Sequence, residues 1–294
     1  MGFGLWDLIG DMRRLLTYLS FVRFSHTVFA LPFALTGALL AWRMEPFSWP
    51  QVFWICVCMV SARSAAMGFN RLVDARFDAL NPRTSMRELP RGAMSMTEAA
   101  VFVALSSAVF VYGAARLSTL CLLLSPVALA IVFWYSLAKR YTSYTQLFLG
   151  LAMAVAPVGG WIAAGGREGP EPWLLGLAIG LWVGGFDILY ACQDVEFDRQ
   201  HGLRSIPVRF GIGAAILLSR LMHVATVVAM AALWRVADLP LLYLAGVAVV
   251  GCLLAYEQSL VRESDLSQVK RAFDLNGYVG IIYFAATALS LFLG

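Results

Sequence analysis

The chain has 294 residues, a formal net charge of +4 and a mean hydropathy of +0.75, with 60% of its residues hydrophobic and only 14% charged. Soluble domains carry nearer a quarter charged residues, so this composition excludes a water-soluble globular protein. The small excess of base is a topology signal and gives no support to nucleic acid as a partner.

Residues 1–22 carry Leu5, Trp6, Leu8, Ile9, Met12, Leu15 and Leu16 at helical spacing, interrupted by Asp7 and Asp11. The two acids argue against a cleavable signal peptide, and the pattern predicts an amphipathic helix lying on the membrane surface. Nine apolar spans are then expected, at about 24–42, 51–69, 97–115, 118–138, 143–164, 172–192, 212–234, 239–256 and 274–292, each near the ~20 residues that cross a bilayer as a helix. No charged residue interrupts Phe24–Trp42 or Tyr141–Gly166. Pro32, Pro126 and Pro157 fall inside spans, where neighbouring helices can re-satisfy a freed carbonyl.

The expected fold is therefore one all-α polytopic domain over 1–294. Its outward turns are short, and two longer charged loops lie at about 70–96 and 193–211. If the amino terminus is inside, 16 of the 22 Lys and Arg residues fall on the inner side and four (Arg43, Arg116, Arg167 and Arg235) on the outer. The positive-inside rule then predicts a multi-pass protein of the cytoplasmic (inner) membrane, with both loops and the amino terminus in the cytoplasm. The five cysteines are an odd number in or beside apolar spans and read as small core residues.

Chemistry is expected where the second and sixth spans reach the inner surface. Asn70, Asp74 and Asp78 are four apart, so a helix stacks them on one face. Asp187, Asp194 and Asp198 follow steps of seven and four, which also keeps one face. Carboxylates stacked this way repel, and an ionised aspartate in a membrane costs about 2.5–3.5 kcal/mol. Something positive must offset them. Oxygen donors with sites left open for phosphate describe a Mg²⁺–diphosphate site. Solvated loop charges or helix-end ion pairs would account for one such cluster, but two at the same ends of spans favour the site.

These residues resemble the UbiA superfamily of aromatic prenyltransferases. The first match is Asn-x3-Asp-x3-Asp at Asn70, Asp74 and Asp78, followed by Arg83-Thr84-x-x-Arg87 and Gly92. The second is Asp187-x-x-Tyr190-Ala-x-x-Asp194-x-x-x-Asp198, followed by Gly202, Ser205, Phe210 and Gly211, and Tyr135-x-x-x-Lys139-Arg140-x-Thr142 is also similar. The resemblance covers nearly the whole chain. It implies nine helices ringed about an intramembrane chamber and capped by the two Asp-bearing loops. It also implies that Asn70, Asp74, Asp78, Asp194 and Asp198 bind Mg²⁺ and through it a polyprenyl diphosphate, while Lys139, Arg140 and Arg204 contact the diphosphate. Asp74, Asp194 and Asp187 are the expected catalytic acids. Asp187, deepest of its cluster, is a candidate general base, the alternative being that it only orients Tyr190 or Arg63.

Physical chemistry supports that reading. Diphosphate leaves an allylic carbon when its charge is stabilised, and the allylic cation must meet an electron-rich ring before water does. Phe29, Phe33, Trp54, Phe69, Trp134, Trp161, Phe186 and Tyr190 are spans' aromatics whose faces can stabilise a cation, with packing as the plainer role. Arg63, two turns deeper than Asn70, needs an anion: the acceptor's carboxylate, the diphosphate, or a motif aspartate. Arg23, His26 and Tyr190 join it as acceptor-pocket candidates, and His223 reads as an interhelix hydrogen-bond partner.

The run Asn81-Pro82-Arg83-Thr84 replaces the Arg-Pro-Leu usual in enzymes acting on 4-hydroxybenzoate. Within the resemblance this points to 1,4-dihydroxy-6-naphthoate as acceptor, on the futalosine route to menaquinone. The 4-hydroxybenzoate enzyme of ubiquinone synthesis is the alternative. A divalent-cation transporter and a polyprenyl-diphosphate phosphatase are readings from other classes. A transporter would place its acids at the bilayer midplane, not at span ends beside arginines.

Overall fold

The computed structural model describes residues 17, 18, 20–22 and 30–293. Most of the expected 1–22 helix, and the candidates Arg23, His26 and Phe29, lie outside the described residues. The helices are α1 (Leu31–Ala41), α2 (Trp49–Leu80), α3 (Met96–Leu117), α4 (Thr119–Tyr141), α5 (Thr145–Ala163) and α6 (Glu171–Ala191). They continue as α7 (Val195–Gln200), α8 (Ile206–Phe210), α9 (Ile212–Val236), α10 (Leu242–Ser259) and α11 (Val269–Leu293). Among the described residues there is no β-strand, only an isolated bridge between Arg262 and Asp265.

Eight of these helical segments are long and apolar enough to cross a membrane. The ninth expected span is represented by the shorter apolar α1. Among the described residues Pro32 sits in the first turn of α1, where a missing N–H is tolerated. Pro126 and Pro157 do lie inside α4 and α5. Three of the five cysteines fit the small-core expectation less well: Cys58 and Cys192 are buried, Cys56 and Cys121 partly so, and Cys252 is exposed; all five are free.

Helix ends follow from local sequence. Ser95 and Glu98 form a reciprocal capping box that starts α3, and Ser118 caps α4 by accepting from the Cys121 N–H. Helix α2 runs well past the membrane-length segment and stops at Asn81, whose extended backbone is what the following Pro82 demands. The expected loop at 70–96 is therefore helix as far as Leu80, and the loop proper is 81–95.

Helix α6 also departs from expectation. It ends at Ala191, a 3₁₀ turn spans Cys192–Asp194, and α7 follows. The second acidic cluster is thus carried on a broken helix, not a continuous face.

Successive helices pack side by side, α6 turns against α9, and α11 returns to α1, which also crosses to α5. Small residues allow the closest approaches. A Cβ on Gly160 would overlap the Ala34 carbonyl, and one on Gly150 would overlap that of Gly180. Along α6, side chains of α9 reach backbone carbonyls turn after turn. Ser219 donates to Gly185 O at 2.7 Å, and Thr226 donates to Ala178 O at 3.3 Å. His223 contacts Trp182 O at 3.3 Å and Gln258 at 3.0 Å, as an interhelix partner should. Trp182 donates to Asn276 on α11 at 2.6 Å, inside a core shared with Phe33, Met230, Tyr243 and Tyr283.

Candidate active site

Both acidic clusters open onto one cavity of about 260 Å³ at a common end of the helices. Asp74, Asp78, Asp187, Asp194 and Asp198 line it, and so do Arg83, Arg87, Lys139 and Arg204. Five acids therefore face four bases.

Asp74 and Asp78 project from one face of α2, as their spacing requires. The Asp74 side chain, 5% exposed, accepts from Lys139 at 2.6 Å and lies 3.4 Å from Arg140. Asn70 donates to the same carboxylate at 3.3 Å, while Arg140 also donates to the Val73 carbonyl. Both Asp78 carboxylate oxygens accept from one Arg87 nitrogen, at 2.7 and 2.8 Å. On the facing wall, Asp194 receives a two-pronged guanidinium from Arg83 at 2.6 and 3.2 Å. The third Arg83 nitrogen donates to the Tyr190 hydroxyl at 2.9 Å. Charge-assisted, forked contacts of this kind are the strong ones. Loop 81–95 is thereby fastened across the cavity from α2 to the end of α6.

Each acid of the first cluster thus has a basic partner. The expected repulsion between stacked carboxylates is offset within the protein itself, by side chains distant in sequence. Arg204 lines the cavity while donating to the Tyr141 carbonyl at 2.6 Å. Asp187 and Asp198 line the same cavity and take no ion pair among the described residues. The donor set is oxygen only, the chemistry of a hard divalent cation. Among the described residues no three acidic, His or Cys groups already stand together as a metal cluster.

Below this cavity lies a second, apolar chamber of about 680 Å³. Tyr135 and Leu149 line both, so they mark where the two meet. Arg63 lines the apolar chamber and not the charged cavity. It makes no ion pair with a motif aspartate among the described residues, and its buried Nε has no hydrogen-bond partner among them. Most of the spans' aromatics take the plainer, packing role. Of the described residues named for cation stabilisation, only Tyr190 lines either space. The others are spent on packing: Phe33 on Trp182, Phe69 on Phe133, Trp134 on Tyr141, Phe186 on Trp182, and Trp54 under Arg116. Trp161 donates to the Arg167 carbonyl.

Sequence reasoning gave no role to Arg83, Arg87 or Tyr135. The first two stand in the motif that follows Asp78, and Tyr135 stands four residues before Lys139, so the signal was present as spacing. Which acid each arginine meets was not.

A many-helix membrane protein with a charged cavity over an apolar chamber is built to hold an amphiphile by its polar head. The sequence matches the UbiA prenyltransferase family over residues 30–286. The chain belongs to that family and is a prenyltransferase. It is 33% identical to a 4-hydroxybenzoate octaprenyltransferase of Enterobacter sp. (strain 638) over 229 residues, 78% of each chain. It is also similar to the apo structure of a UbiA homolog from Aeropyrum pernix K1, with TM-score 0.84 and 37% identity over 91% of this chain and 98% of that one. A UbiA homolog from Archaeoglobus fulgidus bound to GPP and Mg²⁺ shares the fold, with TM-score 0.68 and 20% identity over 92% and 99% of the two chains.

Proposed function

We propose that the protein transfers a polyprenyl group from a polyprenyl diphosphate to an aromatic acid in quinone biosynthesis, with Mg²⁺ required. The observation that carries this reading is the junction at Tyr135 and Leu149, where a cavity of acids and bases opens into an apolar chamber. A diphosphate head and an isoprenoid tail need those two environments in that order.

In this reading Lys139, Arg140 and Arg204 receive the diphosphate oxygens, and Asn70, Asp74, Asp78, Asp194 and Asp198 hold the metal. Mg²⁺, when bound, neutralises charge on the departing diphosphate. The bond from the allylic carbon to oxygen breaks with its electron pair leaving on the diphosphate. The aromatic ring then supplies the pair for the new carbon–carbon bond and loses its proton. Asp187, unpaired and facing the cavity, is placed to take that proton, or to orient Tyr190. Arg83 and Arg87 guard the acids until phosphate competes for them. The surrounding apolar helices keep water from the allylic cation.

Arg63 is the proposed partner of the acceptor's carboxylate, since it reaches the chamber with no anion beside it among the described residues. The acceptor is 1,4-dihydroxy-6-naphthoate on the strength of Asn81–Thr84. The names of the curated relatives favour 4-hydroxybenzoate instead, as in the Enterobacter protein. The charge asymmetry of the sequence supports a cytoplasmic face for the charged cavity. The test offers purified protein, Mg²⁺ and a prenyl diphosphate each acid in turn, with products read by mass. Prenylated naphthoate supports the first acceptor and prenylated hydroxybenzoate the second. Free prenyl alcohol alone, or magnesium uptake into vesicles without product, would sink the transferase reading.

A further inference from the structure

We infer that Gly159 sets how long an isoprenoid tail the chamber accepts, an inference that rests on the tail lying in that chamber. Glycine is the poorest helix former after proline, so a glycine inside α5 needs a reason. At Gly150 and Gly160 the reason is contact, because a Cβ there would strike a neighbouring helix backbone. Gly159 has no such reason. A Cβ built on it meets nothing within 4 Å, and its backbone is ordinary helix.

Gly159 lines the apolar chamber at an exposed position of α5, with no neighbouring helix against it. On α5 it lies between Ala152, Ala156 and Ala163, buried alanines that line the chamber on one side of it, and Val155 and Ile162, which line it on the other. Small side chains along one wall leave room where larger ones would fill it. A second observation points to a ligand in this space. Arg63 lines the same chamber with a buried Nε that has no hydrogen-bond partner among the described residues, so a polar group is expected at the end nearest the charged cavity.

Position along α5 gives the depth. Gly159 is ten residues beyond Leu149, where the two cavities meet, which is about 15 Å at the helical rise. An isoprene repeat is a zigzag of four bonds of about 1.5 Å and covers about 5 Å. Gly159 therefore stands level with about the third unit of a tail whose head is in the charged cavity. A bulky side chain there would meet the tail from the third unit on and leave the first two untouched.

The experiment compares wild type, Gly159→Ala, Gly159→Val and Gly159→Leu with dimethylallyl, geranyl, farnesyl and geranylgeranyl diphosphates and one aromatic acid acceptor. The expected result is near-wild-type kcat/KM with the two shorter donors and a loss with the two longer ones that is small for Ala and reaches about tenfold or more for Leu. Turnover of the short donors certifies that each variant is folded. A uniform fall across all four donors, or no change with any, would overturn the assignment. Wild type that transfers none of the donors to the acid would instead overturn the transferase reading beneath it.

Discussion

Asp74→Asn tests whether the acids of the first cluster are strained against each other or neutralised by the protein. The substitution keeps the shape and removes the charge that sits 2.6 Å from Lys139 and 3.4 Å from Arg140. If stacked carboxylates repelled without compensation, removing one would leave stability unchanged or raise it. The observed pairing predicts the opposite. Removing one partner of a fully buried pair costs about 3–5 kcal/mol. Here Asp74 is 5% exposed but Lys139 and Arg140 are 30% and 31% exposed, so hydration of the two cations reduces the loss. A cost of about 1–3 kcal/mol remains. At about 2–4 °C per kcal/mol for a chain of this size, the Tm in detergent should fall by about 2–12 °C. Inorganic diphosphate in excess chelator should recover part of that fall, because the anion can take the carboxylate's place between the two cations. It should raise the Tm of wild type less, where Asp74 already occupies them. Adding Lys139→Met to Asp74→Asn should cost less than the sum of the single changes. A variant with wild-type Tm that ignores diphosphate would refute the pairing argument.

Arg63→Ala should raise the acceptor KM by about tenfold or more while the donor KM moves little, since an anion left unpaired in a dry site costs about 2–5 kcal/mol. Steady-state kinetics varying each substrate decides, and a rise in the donor KM instead would assign Arg63 to the diphosphate. Excess chelator should stop turnover and added Mg²⁺ restore it; full activity in chelator would remove the metal from the proposal. Arg83→Ala should free loop 81–95 from Asp194 and Tyr190, giving faster proteolysis within the loop together with lower kcat/KM. Unchanged cleavage would show that the loop is held by other contacts. Gly160→Ala should destabilise the protein by about 1–3 kcal/mol through the clash with Ala34, whereas Gly159→Ala, free of any clash, should stabilise it by up to about 0.5–1 kcal/mol in thermal unfolding.

Much of this architecture follows from periodicity. Apolar runs of bilayer length locate the helices, and i, i+4 spacing places Asp74 and Asp78 on one face, as found. The misses arise where the cause is not local. Nothing within residues 187–198 announces that the helix breaks at Cys192, because each residue there is compatible with continuing it. Helix α2 outruns the membrane, so a break in hydropathy at residue 70 is mistaken for the end of the helix, when Pro82 is what ends it. Ion pairs such as Arg83 with Asp194 join residues 111 apart in sequence and depend on how the helices close. Which of the aromatics pack and which reach the site is undecided in the sequence for a related reason. Composition supplies many rings, but only packing decides that Phe33 and Phe186 both rest on Trp182.

The bond between Arg83 and Asp194 makes the loop a partner in whatever the cavity binds. A ligand that takes Asp194 more tightly once Arg83 has swung away loosens loop 81–95 by the same factor, and a restrained loop weakens that ligand equally, because linkage is reciprocal. An anionic head group that engages the released guanidinium would refasten the loop over itself. The freedom of the loop and the occupancy of Asp194 are thus two readings of a single equilibrium.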